Sequence, residues 1–438
     1  MNTSYSNRKL FLAFSPAFMA QAAHDTAIAT ANINARHPMN TPAFHSQVAF
    51  REETRDCSGA YILIETLTGK IAKFTIVSDI TAKFAAGWFA YLQGVAAAPT
   101  GSPANEVQSL VIGGATAGSY KLAFDFEGVS GTTPVIAFDA TNATIQAALQ
   151  ALRPIKTGGV VVTGSVGGPF TLTFGGRLAN ASLPLVTVTT DTTSGGAGVS
   201  VTQTTDGTNK LHLITRTTSE RPVEFSLIEG FEGETNGQKK YKNLVVNDWT
   251  LNANRRGKVT LTVTAFGDPT YEVLAGYSVP ACITQNPVRT KDLRLKVASE
   301  WITDDLREVT YTESNNIDVS EDALKYDDIT PDQLERGDPT ASLNVLALGS
   351  PTSAMYAFAE AEDTAFATDQ LSIGVPGERL SIFHPNTQFR LDDGLIEFVG
   401  NRNKSAFRLI GRPSPDGSGV VSRGEHNGAF TGTFLLTS

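Results

Sequence analysis

Alternation of apolar and polar residues with a period of two is the dominant pattern along this chain. It is clearest in residues 120–126, where Tyr, Leu, Phe and Phe alternate with Lys, Ala and Asp, and in residues 259–265, where Val, Leu, Val and Ala are separated by threonines. Such alternation predicts strands with one buried and one hydrated face. Similar segments predict further strands at 107–112, 160–163, 170–174, 185–189, 199–203, 211–215, 225–228, 242–251, 371–373, 380–383, 395–399 and 407–410. The expected fold class is therefore mainly β.

Three segments depart from simple alternation. Tyr61 to Val77 contains two apolar runs separated by Thr68-Gly69, which predicts a hairpin with its turn at that dipeptide. Residues 303–339 are acidic, and Thr330-Pro-Asp-Gln followed by Gly337 has the form of a helix start and end, which predicts an exposed helical excursion. Residues 1–45 are rich in Ala, Thr and Asn and predict an extended arm.

Two helices are predicted from apolar residues at helical spacing. Phe84, Trp88, Tyr91 and Leu92 form one apolar stripe, and Gly94 closes that helix. The second stripe begins after Asp139 or Thr141 as the N-cap and stops at Pro154, and its members are Ile145, Ala148, Leu149 and Leu152. We expect each stripe to cover a sheet.

Abrupt changes of composition predict the domain organisation. A linker at 96–103 and the turn at 206–208 enclose a self-sufficient pattern, so residues 104–208 are expected to form a domain inserted into a host. The host would comprise 1–103 plus 209–275. Residues 276–438 would form a second, duplicated host domain, because residues 259–270 resemble 341–352 in their Leu, Val, Ala, Gly, Pro and Thr positions.

Composition narrows the possible functions. The formal charge of -9 argues against a protein that grips nucleic acid, which needs clustered Lys and Arg. It would suit a conduit wall that does not hold DNA. Cys57 and Cys282 lie in unrelated contexts, which favours reduced thiols over a disulfide or a zinc site. No apolar run approaches the roughly 20 residues of a membrane-spanning helix.

The N-terminus leaves two alternatives open. Arg8 and Lys9 followed by an apolar stretch to Ala20 imitate a secretory signal peptide, although Pro16 interrupts the stretch. If the chain were secreted, the triplets at Asn142 and Asn180 would be possible glycosylation acceptors.

No constellation of residues predicts catalysis. The loop from Gly113 to Ser119 has the outer spacing of a phosphate-binding loop but lacks its lysine, which favours a simple hairpin turn. His212 lies alone in a predicted strand, and Arg255-Arg256-Gly257-Lys258 favours a hairpin tip or subunit contact. Three acidic pairs lack the ligand order of a calcium loop and favour solvated charge: Asp304-Asp305, Asp327-Asp328 and Asp392-Asp393. We therefore predict no enzyme and no catalytic, cofactor-binding or metal-binding residue.

The predicted inserted domain resembles an immunoglobulin-like repeat found in many phage virion and bacterial surface proteins. The resemblance spans residues 105–205 and is carried by five segments: Asn105 to Gln108, Gly118 to Phe126, the helix from Asp139 to Leu152, Val160 to Gly164, and Phe170 to Gly175. It implies a β-sandwich displayed on a particle surface.

The host resembles the tail tube proteins of siphophages, which have long non-contractile tails. The carriers are the early hairpin and the helix ending at Gly94, the segment from Tyr241 to Leu251, and the segment from Gly257 to Gly267. The resemblance implies a β-sandwich with a flanking helix that joins its neighbours in stacked rings, as a trimer if the host domain is duplicated and as a hexamer if not. It also implies a virion location after assembly in the bacterial cytoplasm, a tape measure protein and a tail terminator as partners, and phage DNA passing through the lumen.

Two other functions fit parts of the pattern. A secreted or surface-displayed β-sandwich adhesin would account for the signal-like N-terminus and the inserted domain. A capsid decoration or tail-tip protein would account for the inserted domain alone.

Overall fold

The computed structural model describes residues 10–15, 17–36, 46–55, 63–96, 100–217, 221–231, 236–254, 257–280, 287–298, 300–302, 305–319, 334–349, 365–366, 369–398, 405–414 and 422–427. They form a mainly β structure with two α-helices, α1 (Ala82–Gln93) and α2 (Asn142–Gln150). This confirms the expected fold class.

Within the described residues, fourteen strands precede residue 217. They are β1 (Leu10–Phe14), β2 (Ala35–Arg36), β3 (Ser46–Arg55), β4 (Leu63–Asp79), β5 (Gly94–Ala96), β6 (Val107–Val111), β7 (Ser119–Phe126), β8 (Val129–Thr132), β9 (Ile136–Ala137), β10 (Val160–Gly164), β11 (Phe170–Phe174), β12 (Thr187–Asp191), β13 (Ser200–Thr205) and β14 (Leu211–Arg216).

Fourteen more strands follow. They are β15 (Phe225–Phe231), β16 (Asn236–Asn254), β17 (Val259–Gly267), β18 (Tyr271–Ala275), β19 (Leu293–Val297), β20 (Glu300–Trp301), β21 (Asp305–Ser314), β22 (Thr340–Gly349), β23 (Ala365–Phe366), β24 (Asp369–Val375), β25 (Glu378–His384), β26 (Asn386–Phe398), β27 (Ser405–Ser414) and β28 (Arg423–Asn427).

The largest sheet contains eight long antiparallel strands in the order β3-β4-β17-β16-β21-β22-β27-β26, and we call these eight strands the long sheet. β16 is its longest strand. The C-terminal half of β16 pairs with β17 and β21, whereas its N-terminal half pairs with β15 and β18. β1 and β2 extend the sheet beyond β15. One continuous strand therefore belongs to two parts of the sheet.

A seven-stranded sheet, β20-β19-β24-β25-β28-β14-β5, packs with α1 against the long sheet. Every residue of α1 except Lys83 is buried. The predicted single stripe was therefore too narrow, because the helix has packed elements on several sides and needs apolar residues all round. Thr81 caps its start and Gly94, with φ of 98°, ends it as predicted.

Residues on both sides of the predicted boundary at 275/276 share one hydrophobic core. Phe74, Trp249 and Leu261 belong to the same buried cluster as Val309, Leu343 and Leu371. The Val259, Leu261, Val263 and Ala265 face is buried as predicted. The division of the host into two domains remains a prediction, and the described residues 257–349 place both parts in the same sheet.

Residues 105–208 fold around a separate core. Two four-stranded sheets, β10-β11-β6-β13 and β7 with β8, β9 and β12, enclose a cluster that includes Phe124, Phe170 and Leu172. The helix α2 contributes Ile145 and Leu149 and begins at Thr141, one of the two predicted caps. The segment Gly113 to Ser119 is not a simple hairpin turn, because β6 and β7 lie in different sheets and do not pair.

Three predictions for the host were wrong. Residues 10–15 and 17–36 are not an extended arm: β1 pairs with β15, and Phe11, Phe14 and Phe18 are buried in the core. Burial of this apolar run outweighs its polar surroundings, since each large apolar side chain gains about 1.5–3 kcal/mol on burial.

The predicted hairpin at 61–77 is one continuous strand, β4, paired with β3. Phe50 lies opposite Gly69 and Arg51 opposite Leu67, so the dipeptide that suggested a turn marks a bulge. The predicted excursion at 303–339 contains β21, a strand in the middle of the long sheet whose Val309 and Tyr311 are buried. Leu334 to Gly337 are not helical, and Thr330 lies outside the described residues.

Within the described ranges, no helix has the length and apolar content needed to cross a lipid bilayer.

Candidate functional surface

The long sheet repeats one pattern of strand connections. In chain order, β3 pairs with β4 and β16 with β17, and β4 joins the two pairs by pairing with β17. The same pattern recurs in the second half: β21 pairs with β22, β26 with β27, and β22 pairs with β27. We call these two sets of four strands the first run and the second run. They lie side by side in the same direction.

The seam between the two runs is a regular antiparallel pairing. β16 and β21 are in register from Asp248 opposite Ser314 to Asn254 opposite Glu308. β16, an edge strand of the first run, is thus paired with β21, an edge strand of the second run. A contact of this kind between unlike edges can be repeated from one copy to the next.

The two outer edges of the long sheet are β3 in the first run and β26 in the second run. Among the described residues, β3 pairs only with β4, and β26 pairs beyond β27 only with the two residues of β23, opposite Thr387 and Gln388. Unpaired edge groups are ready to bind a further strand. β3 and β26 therefore remain available for pairing.

The face of the long sheet that points away from the core carries hydroxyl and amide side chains in rows. Three rows cross β4, β17, β16, β21 and β22, and all but three of their fifteen members are Ser, Thr or Asn. The rows are Val77-Thr262-Thr250-Thr312-Ser342, Thr75-Thr264-Asp248-Ser314-Thr340 and Asp79-Thr260-Asn252-Thr310-Asn344. We call this surface the hydroxyl face.

Hydrogen bonds along the hydroxyl face use its polar groups and its charges. The Thr250 and Thr312 hydroxyls lie 3.2 Å apart across the seam, and Thr310 donates to Asn252 Oδ1 at 3.1 Å. Ser314 donates to Asp248 Oδ1 at 2.7 Å, and Lys258 forms an ion pair with Asp79. The face is therefore polar, with its carboxylates engaged by neighbours of this chain.

A second polar cluster lies inside the host, between α1 and the second run. Gln93 Nε2 donates to Glu313 Oε1 at 2.7 Å, and the Ser422 hydroxyl donates to Glu313 Oε2 at 2.7 Å. The Tyr311 hydroxyl donates to Glu313 at 2.6 Å and lies 3.0 Å from His384 Nε2. All five side chains are at most 1% exposed. This cluster joins distant segments of the chain in the interior of the host.

Burial sets the protonation states in this cluster. It raises the pKa of Tyr311 well above its usual range, with the charge of Glu313 acting in the same direction. Burial also lowers the pKa of His384 to about 3, so its imidazole is neutral near pH 7.

Arg336 donates to the carbonyls of Leu92 and Gln93, where a cation is favoured by the helix dipole. Burial and then Arg216 lower the pKa of Arg336 to about 9.

Those residues singled out in the sequence that the structure describes are not brought together. His212 is buried in β14, opposite His426 of β28, and the segment from Gly113 to Ser119 packs its backbone against Ser194 and Ala197. Asp305 lies in β21, and Asp392 and Asp393 lie in β26. The following lie outside the described residues: Cys57, Arg255, Arg256, Cys282, Asp304, Asp327 and Asp328. Among the described residues, no group of three or more His, Cys, Asp or Glu could hold a metal ion.

Sequence reasoning missed the hydroxyl face, although part of its signal was visible. The threonines between Val259 and Phe266 predict only a hydrated strand face. Their continuation across four further strands depends on register, which alternation within one strand does not fix.

Comparisons with known proteins identify no relative: no protein-family model matches the chain, and no curated protein matches it.

Proposed function

We propose that this chain is the structural subunit of a bacteriophage tail tube, which pairs head to tail into rings that stack around a DNA conduit. The observation that carries the proposal is the repeated run in the long sheet, with β16 paired to β21 inside the chain and β3 and β26 at the outer edges. In the ring, β26 of one copy pairs with β3 of the next, in the way that β16 pairs with β21. Each chain contributes two runs, so three chains supply six.

The hydroxyl face supports the second part of the proposal. In a closed ring it lines the lumen, where rows of hydroxyl and amide groups interact with water and offer a passing polyanion few fixed charges. The wall then avoids binding DNA mainly because it is close to neutral, and less because the chain's overall charge of -9 repels DNA. A tape measure protein, a tail terminator and phage DNA are the partners that this function requires.

The position of the inserted domain also fits this arrangement. Residues 105–208 contact the seven-stranded sheet side of the host, around β19 and the turn between β24 and β25. Glu127 of the inserted domain forms an ion pair with Arg379, and Asn209, the first residue after the domain, donates to Gly377 O at 2.6 Å. The hydroxyl face lies on the opposite side of the host, so the inserted domain projects outward from a tube.

The test is electron microscopy of the purified full-length chain, combined with native mass spectrometry. We expect rings or open tubes built from three chains per ring. Dispersed monomers at concentrations of tens of micromolar, with no ring in any condition, would contradict the proposal and favour the adhesin alternative.

Edge variants make the test specific. In an edge strand, the N–H groups of neighbouring residues point alternately toward the paired strand and outward. Of the two variants Ala49→Pro and Phe50→Pro, one therefore removes a donor that faces β4 and the other removes a donor that faces outward. The outward variant should stay folded by circular dichroism and should form no rings. The control is Asn236→Pro at the first residue of β16, away from both outer edges, and this control should still form rings.

A further inference from the structure

Basic side chains line a cleft between the inserted domain and the host. The cleft has a volume of about 430 Å³ and lies between the turn that follows α2, the segment around Arg177, and residues 290–294 of the host. Five cationic residues and one carboxylate, Glu127, line it. The five cations are Arg153, Lys156, Arg177, Lys291 and Arg294. A cleft of this size falls within the range of small-molecule sites, about 300–1,000 Å³.

The chain's own carboxylates do not balance these cations. Glu127 is shared between Arg379 and Arg294, with Arg294 Nε at 3.8 Å from its carboxylate. Asp292 approaches Arg177 at 3.9 Å, the limit of an ion pair. Among the described residues, no carboxylate forms an ion pair with Arg153, Lys156 or Lys291.

The cations also repel one another. Burial, and then the charges of Arg177 and Lys291, lower the pKa of Lys156. The Nε atoms of Arg177 and Arg294 are buried without a hydrogen-bond partner. Guanidinium groups donate in a planar fork that matches phosphate oxygens, and ammonium groups add point charge. A bound anion would relieve the repulsion between the cations that line the cleft.

Local hydrogen bonds define the backbone and one guanidinium at the cleft. Lys156 adopts a left-handed conformation, with φ of 61°, in a turn where its N–H donates to Leu152 O at 2.9 Å. Arg294 Nη1 donates to the carbonyl oxygens of Lys291 and Leu293 at 2.8 and 3.0 Å. The turn and the Arg294 guanidinium therefore need no rearrangement when a ligand binds, which lowers the entropic cost of binding.

We propose that this cleft binds an anion with two or more phosphate groups, through Lys156 and Arg153 of the inserted domain and Lys291 of the host. Because the ligand bridges both parts, it also fixes the inserted domain on the host. The phosphate groups belong either to a small free polyphosphate or to a phosphodiester polymer of a cell surface. This inference does not depend on the tail tube proposal.

Isothermal titration of the full-length chain tests the cleft with two probes, sodium tripolyphosphate and a short poly(glycerol phosphate). We expect tripolyphosphate to bind, and Lys156→Gln and Lys291→Gln each to weaken binding about tenfold or more. The control, Lys121→Gln, makes the same charge change on β7 outside the cleft and should bind within twofold of the unchanged chain.

The two probes distinguish the sources of phosphate. Tighter binding of the polymer per phosphate would assign the site to a surface polymer, and tighter binding of tripolyphosphate to a free polyphosphate. Absence of binding by both, or equal weakening by Lys121→Gln and Lys156→Gln, would overturn the proposal. Since Lys156 and Lys291 are exposed, their substitution should leave the fold intact by circular dichroism.

Discussion

Gly87 lies where α1 meets the N-terminal segment of the chain. A Cβ atom at this position would come within 2.3 Å of the Phe18 ring. That ring cannot move away easily, because it packs between Phe14, Phe84 and Trp88 with ring centroids 5.4 to 6.1 Å apart. The close approach of helix and ring therefore requires glycine.

Gly87→Ala should lower the free energy of unfolding by about 1–3 kcal/mol, the usual cost of overpacking a core. Urea unfolding followed by tryptophan fluorescence would measure it. Gly257→Ala is the matched control, since its nearest neighbour atom would lie 3.6 Å away, and it should change stability by less than about 0.5 kcal/mol. Equal effects of the two substitutions would contradict the packing described for Phe18.

His384 should make stability depend on pH. Its pKa is about 3 in the folded chain and 6.5 when the imidazole is exposed, so between these values the unfolded chain binds the extra proton. Stability is then full above about pH 6.5 and falls as the pH decreases toward 3, by at most about 1.4 kcal/mol per pH unit for one group.

Urea titrations at several pH values would measure this slope. His384→Gln removes the titrating group and should flatten the slope between pH 6.5 and 5, whatever its effect on stability at pH 7. An unchanged slope in that variant would assign the pH dependence to other groups.

At the scale of elements, the turn between β24 and β25 holds the inserted domain. A Cβ atom on Gly377 would lie 1.9 Å from the carbonyl oxygen of Ala179, which is backbone and cannot yield without moving the whole segment. Gly377→Ala should therefore separate the two surfaces. We expect faster hydrogen exchange in the peptides around Arg177 and around Lys291, which face each other across the cleft.

The control for that experiment lies in the same part of the inserted domain. Gly175 has extended backbone, with φ of -154°, and open space around its missing Cβ. Gly175→Ala should leave exchange unchanged. If exchange in Gly377→Ala also stays unchanged, the inserted domain is held by its other contacts alone.

Local pattern predicted most strands of this chain, because alternation within a strand reports directly on which face is buried. The inserted domain's β6, β7, β10 and β11 lie where the pattern put them. β21 was missed, since its place is decided by β16 and β22, which are far away in the sequence. β3 and the bulge in β4 depend on each other, because only the pairing between these two neighbouring strands distinguishes the bulge from a turn.

The candidate surfaces could be predicted less well than the elements. The hydroxyl face needs the register of five strands from three parts of the chain, and the cleft joins Lys156 with Lys291. Neither is visible in a local window of sequence. Single residues that stand out in a sequence, such as His212 or the acidic pairs, indicate a chemical site only when the other members of that site are close in the chain.

At the scale of the whole molecule, the host and the inserted domain differ in how they are held together. The inserted domain has its own buried cluster, while residues of the host before and after position 275 share one. β16 runs through both parts of the large sheet over 19 residues, roughly 60 Å at about 3.3 Å per residue. The described residues on both sides of position 275 therefore share one core and one sheet.

The seam between β16 and β21 consequently determines how many unfolding transitions this chain shows on heating. Pairing across it makes loss of either run expose the core of the other, so the host should unfold in one cooperative step and the inserted domain in another. Scanning calorimetry should resolve two transitions, whereas three would mean that residues 276–438 unfold independently. If the first and second runs arose by duplication, we expect that neither copy folds alone.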